Sequence, residues 1–119
     1  MSGAASYHGG LAAEAQVALA YERAGHPIIA RRWRGRYGGE IDLIARDGAG
    51  VIVIEVKHSA THARAAERLS PRQMQRIHAA AAEFIGAQPH GQLTELRFDL
   101  ALVDRDGRIE IRENAFAPD

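Results

Sequence analysis

The sequence predicts an α/β domain: a mixed sheet flanked by helices, in the order helix, three strands, helix, two strands. Three observations carry this. Residues 40 to 57 form two apolar extended segments around a Gly-containing turn, the pattern of a hairpin. A capped amphipathic helix begins at Ser70, and another apolar strand follows it at Leu96. A strand, a crossover helix and a strand make a parallel pair with a right-handed connection. At 119 residues the chain is one domain, able to bury roughly two-thirds of its unfolded surface.

Residues 1–9 are expected to form a flexible N-terminus and residues 10–119 a single domain. The start lacks the basic and apolar regions of a secretory signal. From Leu11 to Ala24 an Ala-rich run stops at Gly25, as a helix does. Leu11, Val17, Ala18 and Tyr21 share its apolar side, and Glu14 falls in the middle of them. A carboxylate there is a satisfied buried acid, a helix-edge residue, or a third acid aimed at a metal held by the hairpin. Ile28 to Trp33 reads as a short strand, joined by Gly35-Arg36-Tyr37-Gly38-Gly39 to the hairpin strands Glu40–Arg46 and Val51–Lys57. Residues 58 to 69 show no clean period and read as a loop. Ser70, Pro71 and Gln73 then open a helix as a capping box, with Met74, Ile77, Ala81, Phe84 and Ile85 as its stripe and Gly86 as its stop. Pro89 and Gly91 mark a linker. Leu96 to Val103 is a strand, and after a turn at 104–107 the alternation of Arg108 to Glu113 reads as an edge strand.

The hairpin holds the most informative residues. If the turn closes with Arg46 facing Val51, Asp42 lies opposite Glu55 on one face, with Cβ atoms about 5 Å apart, and like charges so placed destabilise a sheet. A divalent cation between them removes the conflict, and hard oxygen ligands suit Mg²⁺ or Mn²⁺. Lys57 projects to the same face by the period of two. An Asp and a Glu-x-Lys on one face form a phosphodiester-cleaving constellation: the acids hold the ion, and the lysine orients water and offsets phosphate charge. The plainer reading of Lys57 is a cross-strand ion pair with Glu40, worth about 0 to 1 kcal/mol. Gln73 has a sufficient role in capping, with a site contact as the alternative. Asp99 reads as a structural partner for an arginine, and Trp33 as core in preference to a base-stacking platform.

Formal net charge is zero, but its distribution is uneven. Arg31, Arg32, Arg34 and Arg36 lie together with no acid among them, interleaved with Trp33 and Tyr37. Arg64, Arg68, Arg72 and Arg76 follow Lys57 with Glu67 as the lone acid. Two basic stretches flanking an acidic hairpin describe a phosphate-binding rim around a metal centre, or two ordinary solvated segments. No stretch approaches the roughly 18 apolar residues of a membrane helix. The chain has no cysteine, which fits a reducing cytoplasm, and its six histidines show no ligand spacing. Phosphate-cradling and dinucleotide-binding glycine motifs are absent.

Gly39-Glu40-Ile41-Asp42-Leu43-Ile44-Ala45, Val53-Ile54-Glu55-Val56-Lys57, Arg97-Phe98-Asp99 and Asn114-Ala115-Phe116 resemble the hallmarks of the YraN family of uncharacterised bacterial proteins. The likeness runs from about Gly10 to Phe116. That family looks like a member of the restriction-endonuclease-like superfamily with its D…(E/D)xK motif, similar in core layout to Holliday junction resolvases. The resemblance implies a helix, three-strand, helix, strand core. It also implies Asp42 and Glu55 as metal ligands, Lys57 as the motif lysine and Glu14 as the acid of the first helix, while Gln73 falls where relatives carry a polar or basic residue. The implied activity is metal-dependent hydrolysis of DNA, on branched or repair intermediates, by a protein that forms a homodimer where two strands are cut. A non-cleaving nucleic-acid-binding protein and an interaction module with a vestigial site are the competing readings.

Overall fold

Apolar runs that can be covered on both faces become the middle of a sheet. The computed structural model describes residues 3 to 118, with side chains described from Gly9 onward. β1 (Ile28–Arg34), β2 (Glu40–Asp47), β3 (Gly50–His58), β4 (Leu96–Val103) and β5 (Ile109–Arg112) lie side by side in that order. β3 and β4 are parallel and the other neighbours antiparallel, so the mixed sheet and its crossover are as the sequence predicts. β3 is buried from Gly50 through Glu55.

Helices cover both faces. α1 (Gly3–Arg23) sets Ala13, Val17, Ala18 and Tyr21 against Leu43, Ile52, Ile54 and Ala101. Of residues 1–9, expected to form a flexible N-terminus, positions 3–9 belong to α1, and positions 1 and 2 lie outside the described residues. On the other face α2 (His62–Glu67) and α3 (Pro71–Gly86) pack Ala65, Ile77, Ala81 and Ile85 against Ile41, Val53, Phe98 and Leu100. None of the described helices is long and apolar enough to cross a membrane.

α2 corrects the expectation of a loop over 58–69. Thr61 caps it, its hydroxyl accepting from Arg64 N at 3.1 Å, and six residues are too few for an apolar period to appear. In α3, Ser70 Oγ accepts from Gln73 N at 3.1 Å and Pro71 takes the first turn. The capping box is only half made, because the Gln73 side chain points elsewhere. Gly39 lets the start of β2 lie against α3: a Cβ there would stand 2.4 Å from the Arg76 carbonyl oxygen.

The hairpin closes in the predicted register, from Asp47 opposite Gly50 to Leu43 opposite Ile54. There it stops. Beyond that pair β2 continues with β1 alone, as far as Glu40, and β3 with β4 alone, as far as His58. The ladder pair expected between Asp42 and Glu55 is therefore replaced by a splay. Side-chain alternation slips at the same place, since Ile41 and Ile44 join one core while Leu43 joins the other. In β1, Ala30 and Trp33 slip in step, and Arg32 has a φ of +49°.

Asp99 closes the fold. Wholly buried, it accepts from Tyr21 Oη (2.6 Å), Arg97 Nε (2.9 Å) and Nη2 (3.0 Å), and Asn114 N (2.9 Å). Burial and the Asp99 carboxylate push the Tyr21 hydroxyl far above the ordinary range. Asn114 Oδ1 in turn accepts from Phe98 N, and Phe116 packs on Phe98 and His78. The arginine partner expected for Asp99 is Arg97.

Candidate active site

Where β2 and β3 part, a cleft of about 340 Å³ opens, and groups from both helical layers reach it. Glu14 comes from α1, Gln73 from α3, Arg32 from β1, and Asp42, Glu55 and Lys57 from the parted strands. Asp42 Oδ2 accepts from Val56 N at 2.8 Å, so the carboxylate takes the place of the main-chain acceptor that β2 withdraws. The splay and the orientation of Asp42 are one feature.

Glu55 faces the α3 side with only 3% of its surface exposed, since its neighbour Val56 packs on the α1 side. Its Oε1 accepts from Gln73 Nε2 at 3.0 Å and lies 3.5 Å from Lys57 Nζ. Its Oε2 is buried and has no hydrogen-bond partner among the described residues. A buried, unsatisfied carboxylate oxygen is costly, so the site asks for a proton or a cation. Burial first, and the Asp42 charge second, push the Glu55 carboxyl up to about 9, against the opposing pull of Lys57. Asp42 is raised as well, chiefly by burial and partly offset by the Val56 N–H.

These residues fit a hard divalent cation. Two carboxylates are a usual protein share for Mg²⁺, which fills its remaining positions with water and phosphate oxygens. Among the described residues no three His, Cys, Asp or Glu side chains are grouped to hold one ion. Glu14 borders the cleft, but its Oε2 is taken by Arg32 (Nη2 2.7 Å, Nε 3.3 Å). The first-helix acid expected as a ligand thus stands beside a two-carboxylate centre, within electrostatic reach of Asp42.

Comparison with known proteins is consistent over almost the whole chain. The family described as "Uncharacterised protein family UPF0102" matches residues 13–103. A UPF0102 protein of Cereibacter sphaeroides strain KD131 is 64% identical over 117 residues, covering 98% of this chain and 99% of that protein. One from Ruegeria pomeroyi is 59% identical over 114 residues (96% and 92%), and one from Roseobacter denitrificans 48% over 116 residues (98% and 89%). This chain belongs to the UPF0102 family. It is the family that the YraN resemblance names. The matched span of the UPF0102 protein contains Glu14, Asp42, Glu55, Lys57 and Gln73 and ends at Val103, before the Asn114–Phe116 segment.

In this UPF0102 protein the two basic stretches behave differently. Arg31 pairs with Glu22 (3.6 Å), Arg32 with Glu14, Arg34 with Glu40 (3.4 Å) and Arg36 with Glu83 (3.3 Å). The acids come from α1, β2 and α3, so a segment that is purely basic in sequence is neutralised in space. Glu40 is thereby committed to Arg34, and the expected Lys57–Glu40 pair is replaced by Lys57–Glu55. Arg68 Nη1 donates to His58 O at 2.7 Å, tying α2 to the end of β3. Arg64, Arg72 and Arg76 are exposed and have no acid within ion-pair distance among the described residues. Of the eight arginines expected at a phosphate-binding rim, the guanidinium groups of those three alone have no partner among the described residues. Sequence reasoning places Arg32 on a basic rim and Glu40 opposite Lys57; the structure puts both in the cleft wall, Arg32 paired with Glu14 and Glu40 with Arg34.

Proposed function

We propose that this UPF0102 protein is a metal-dependent endonuclease that hydrolyses DNA phosphodiester bonds. The observation that carries the reading is the unsatisfied Oε2 of Glu55, buried beside Asp42 in a cleft that also holds a lysine. Asp42 and Glu55 would hold Mg²⁺ or Mn²⁺, which supplies a Lewis acid for the phosphoryl oxygens and a more acidic bound water. The chain's own residues do the rest. Gln73 holds Oε1 of Glu55 with an uncharged donor, which fixes the carboxylate plane and leaves Oε2 available. Lys57 Nζ, close to Glu55, offsets charge on the scissile phosphate and orients the attacking water. Arg72 and Arg76, on the same helix as Gln73, draw the nucleic-acid backbone toward the cleft. Cutting both strands of a duplex calls for two such centres, so the reading includes a homodimer.

The second reading, binding without cleavage, is favoured by the two-carboxylate shell, which leaves Glu14 engaged by Arg32. Asp42→Asn and Glu55→Gln distinguish the two. Linear, forked and four-way DNA are incubated with Mg²⁺ or Mn²⁺, and ion binding is followed by calorimetry. The native protein cleaves at least one form, and each variant loses cleavage by roughly a hundredfold or more while retaining DNA affinity. Native protein that binds every form and cuts none establishes the second reading.

A further inference from the structure

The sequence offers two aromatic side chains among the arginines of β1 and the following loop, and the structure gives them opposite fates. Trp33 packs edge-on to Phe84, ring centroids 5.3 Å apart, at the border of the core. Tyr37 is 86% exposed. Its loop is nevertheless held firmly. Gly35 N donates to Gly39 O at 2.9 Å, Arg36 N donates to Glu83 Oε2 at 2.9 Å, and Gly39 lies against the backbone of Arg76. A Cβ on Gly38 would stand 3.5 Å from Arg76 Nη2, so the loop tip sits beside that guanidinium. A large ring is thus presented to solvent on a clamped loop, beside one guanidinium, that of Arg76, with no acid partner among the described residues.

We infer that Tyr37 is a stacking platform for an unpaired base of a single-stranded or forked nucleic acid whose backbone lies across Arg72 and Arg76. The inference rests on the reading of the cleft as a nucleic-acid site, but not on cleavage. Stacking on a side chain requires a base already out of its duplex stack, whereas phosphate contacts tolerate any strand. Tyr37 is three residues from Glu40 of the cleft wall, so their Cα atoms are at most about 11 Å apart.

The test is fluorescence anisotropy in chelator, where cleavage cannot intervene, on forked, single-stranded and blunt duplex oligonucleotides. Tyr37→Ala weakens forked and single-stranded binding about tenfold and leaves duplex binding within about twofold, while Tyr37→Phe matches the native protein. 2-Aminopurine in the unpaired arm is quenched by the native protein and by Tyr37→Phe, and not by Tyr37→Ala. Equal losses on all three substrates, or no loss on any, overturn the proposal. Native protein that shows the stacking signature yet cuts nothing overturns the nuclease reading alone; cleaving protein indifferent to Tyr37→Ala in every assay overturns this one alone.

Discussion

At Glu55, burial and a neighbouring carboxylate act in the same direction. The folded protein keeps a proton that the unfolded chain releases near 4.5 and the native site releases at about 9. Between those values the native state binds more protons than the unfolded state, so stability falls as pH rises through the window and is fully present below it. Asp42, also raised, adds to the same slope. In chelator, the melting temperature should therefore decline from about pH 5 to about pH 9, with a slope of at most about 1.4 kcal/mol per pH unit from Glu55. Glu55→Gln keeps an acceptor for Gln73 and removes the titration, so its profile should be flatter and its stability at pH 8 higher than the native protein's. Added Mg²⁺ or Mn²⁺ should stabilise the native protein more as pH rises, because the ligands must be deprotonated. Scanning calorimetry across pH reads all of this, and a native slope that survives in Glu55→Gln would refute the assignment.

The elements around the cleft meet at fixed approaches. β2 reaches α3 through Gly39, where a Cβ would meet the Arg76 carbonyl oxygen at 2.4 Å and the Ala80 methyl at 3.1 Å. Main chain in the middle of a helix cannot retreat as a side-chain tip can, so Gly39→Ala should cost about 1 to 3 kcal/mol by overpacking. The urea midpoint should fall with the m-value unchanged. Arg76 and Gln73 lie on the helix that the added methyl would displace, so on the proposed nuclease reading the same variant should also weaken DNA binding. A Gly39→Ala protein as stable as the native one would show that β2 and α3 are less tightly apposed.

Across the whole molecule, Asp99 joins α1, β4 and the segment after β5 through four donated hydrogen bonds. Removing it leaves the buried Tyr21 hydroxyl and the Asn114 N–H without their acceptor and the partly exposed Arg97 with Glu113 alone, 3.6 Å away. Asp99→Ala should destabilise by about 2 to 4 kcal/mol, chiefly from the buried phenol and main-chain N–H left without an acceptor. Tyr21→Phe, which deletes a single donor, should cost about 1 kcal/mol and remain folded. Denaturant unfolding of both compares the two directly; near-equal small losses would mean that the clasp carries little of the stability. The clasp lies on the α1 face of the sheet, with Asp99 in register with Ile54, the residue before Glu55, and the unsatisfied Glu55 oxygen beside it is a cost that the rest of the fold must carry.

The order of strands along the chain, the parallel crossover and the closure of the hairpin were legible in the sequence, because a period of two and a short turn act between near neighbours; Asp42, Glu55 and Lys57 do share one cleft, but by a splay and not by the expected ladder pair. The Ser70 cap was legible for the same reason. The tertiary structure alone decided that β2 and β3 part after Leu43 and Ile54, that Gln73 reaches Glu55, and that Arg32 holds Glu14. It also decided that the basic run at β1 is matched acid by acid while Arg72 and Arg76 are not. Those outcomes depend on which faces of distant elements are pressed together, and electrostatic pairing across that distance leaves no periodic trace along the chain.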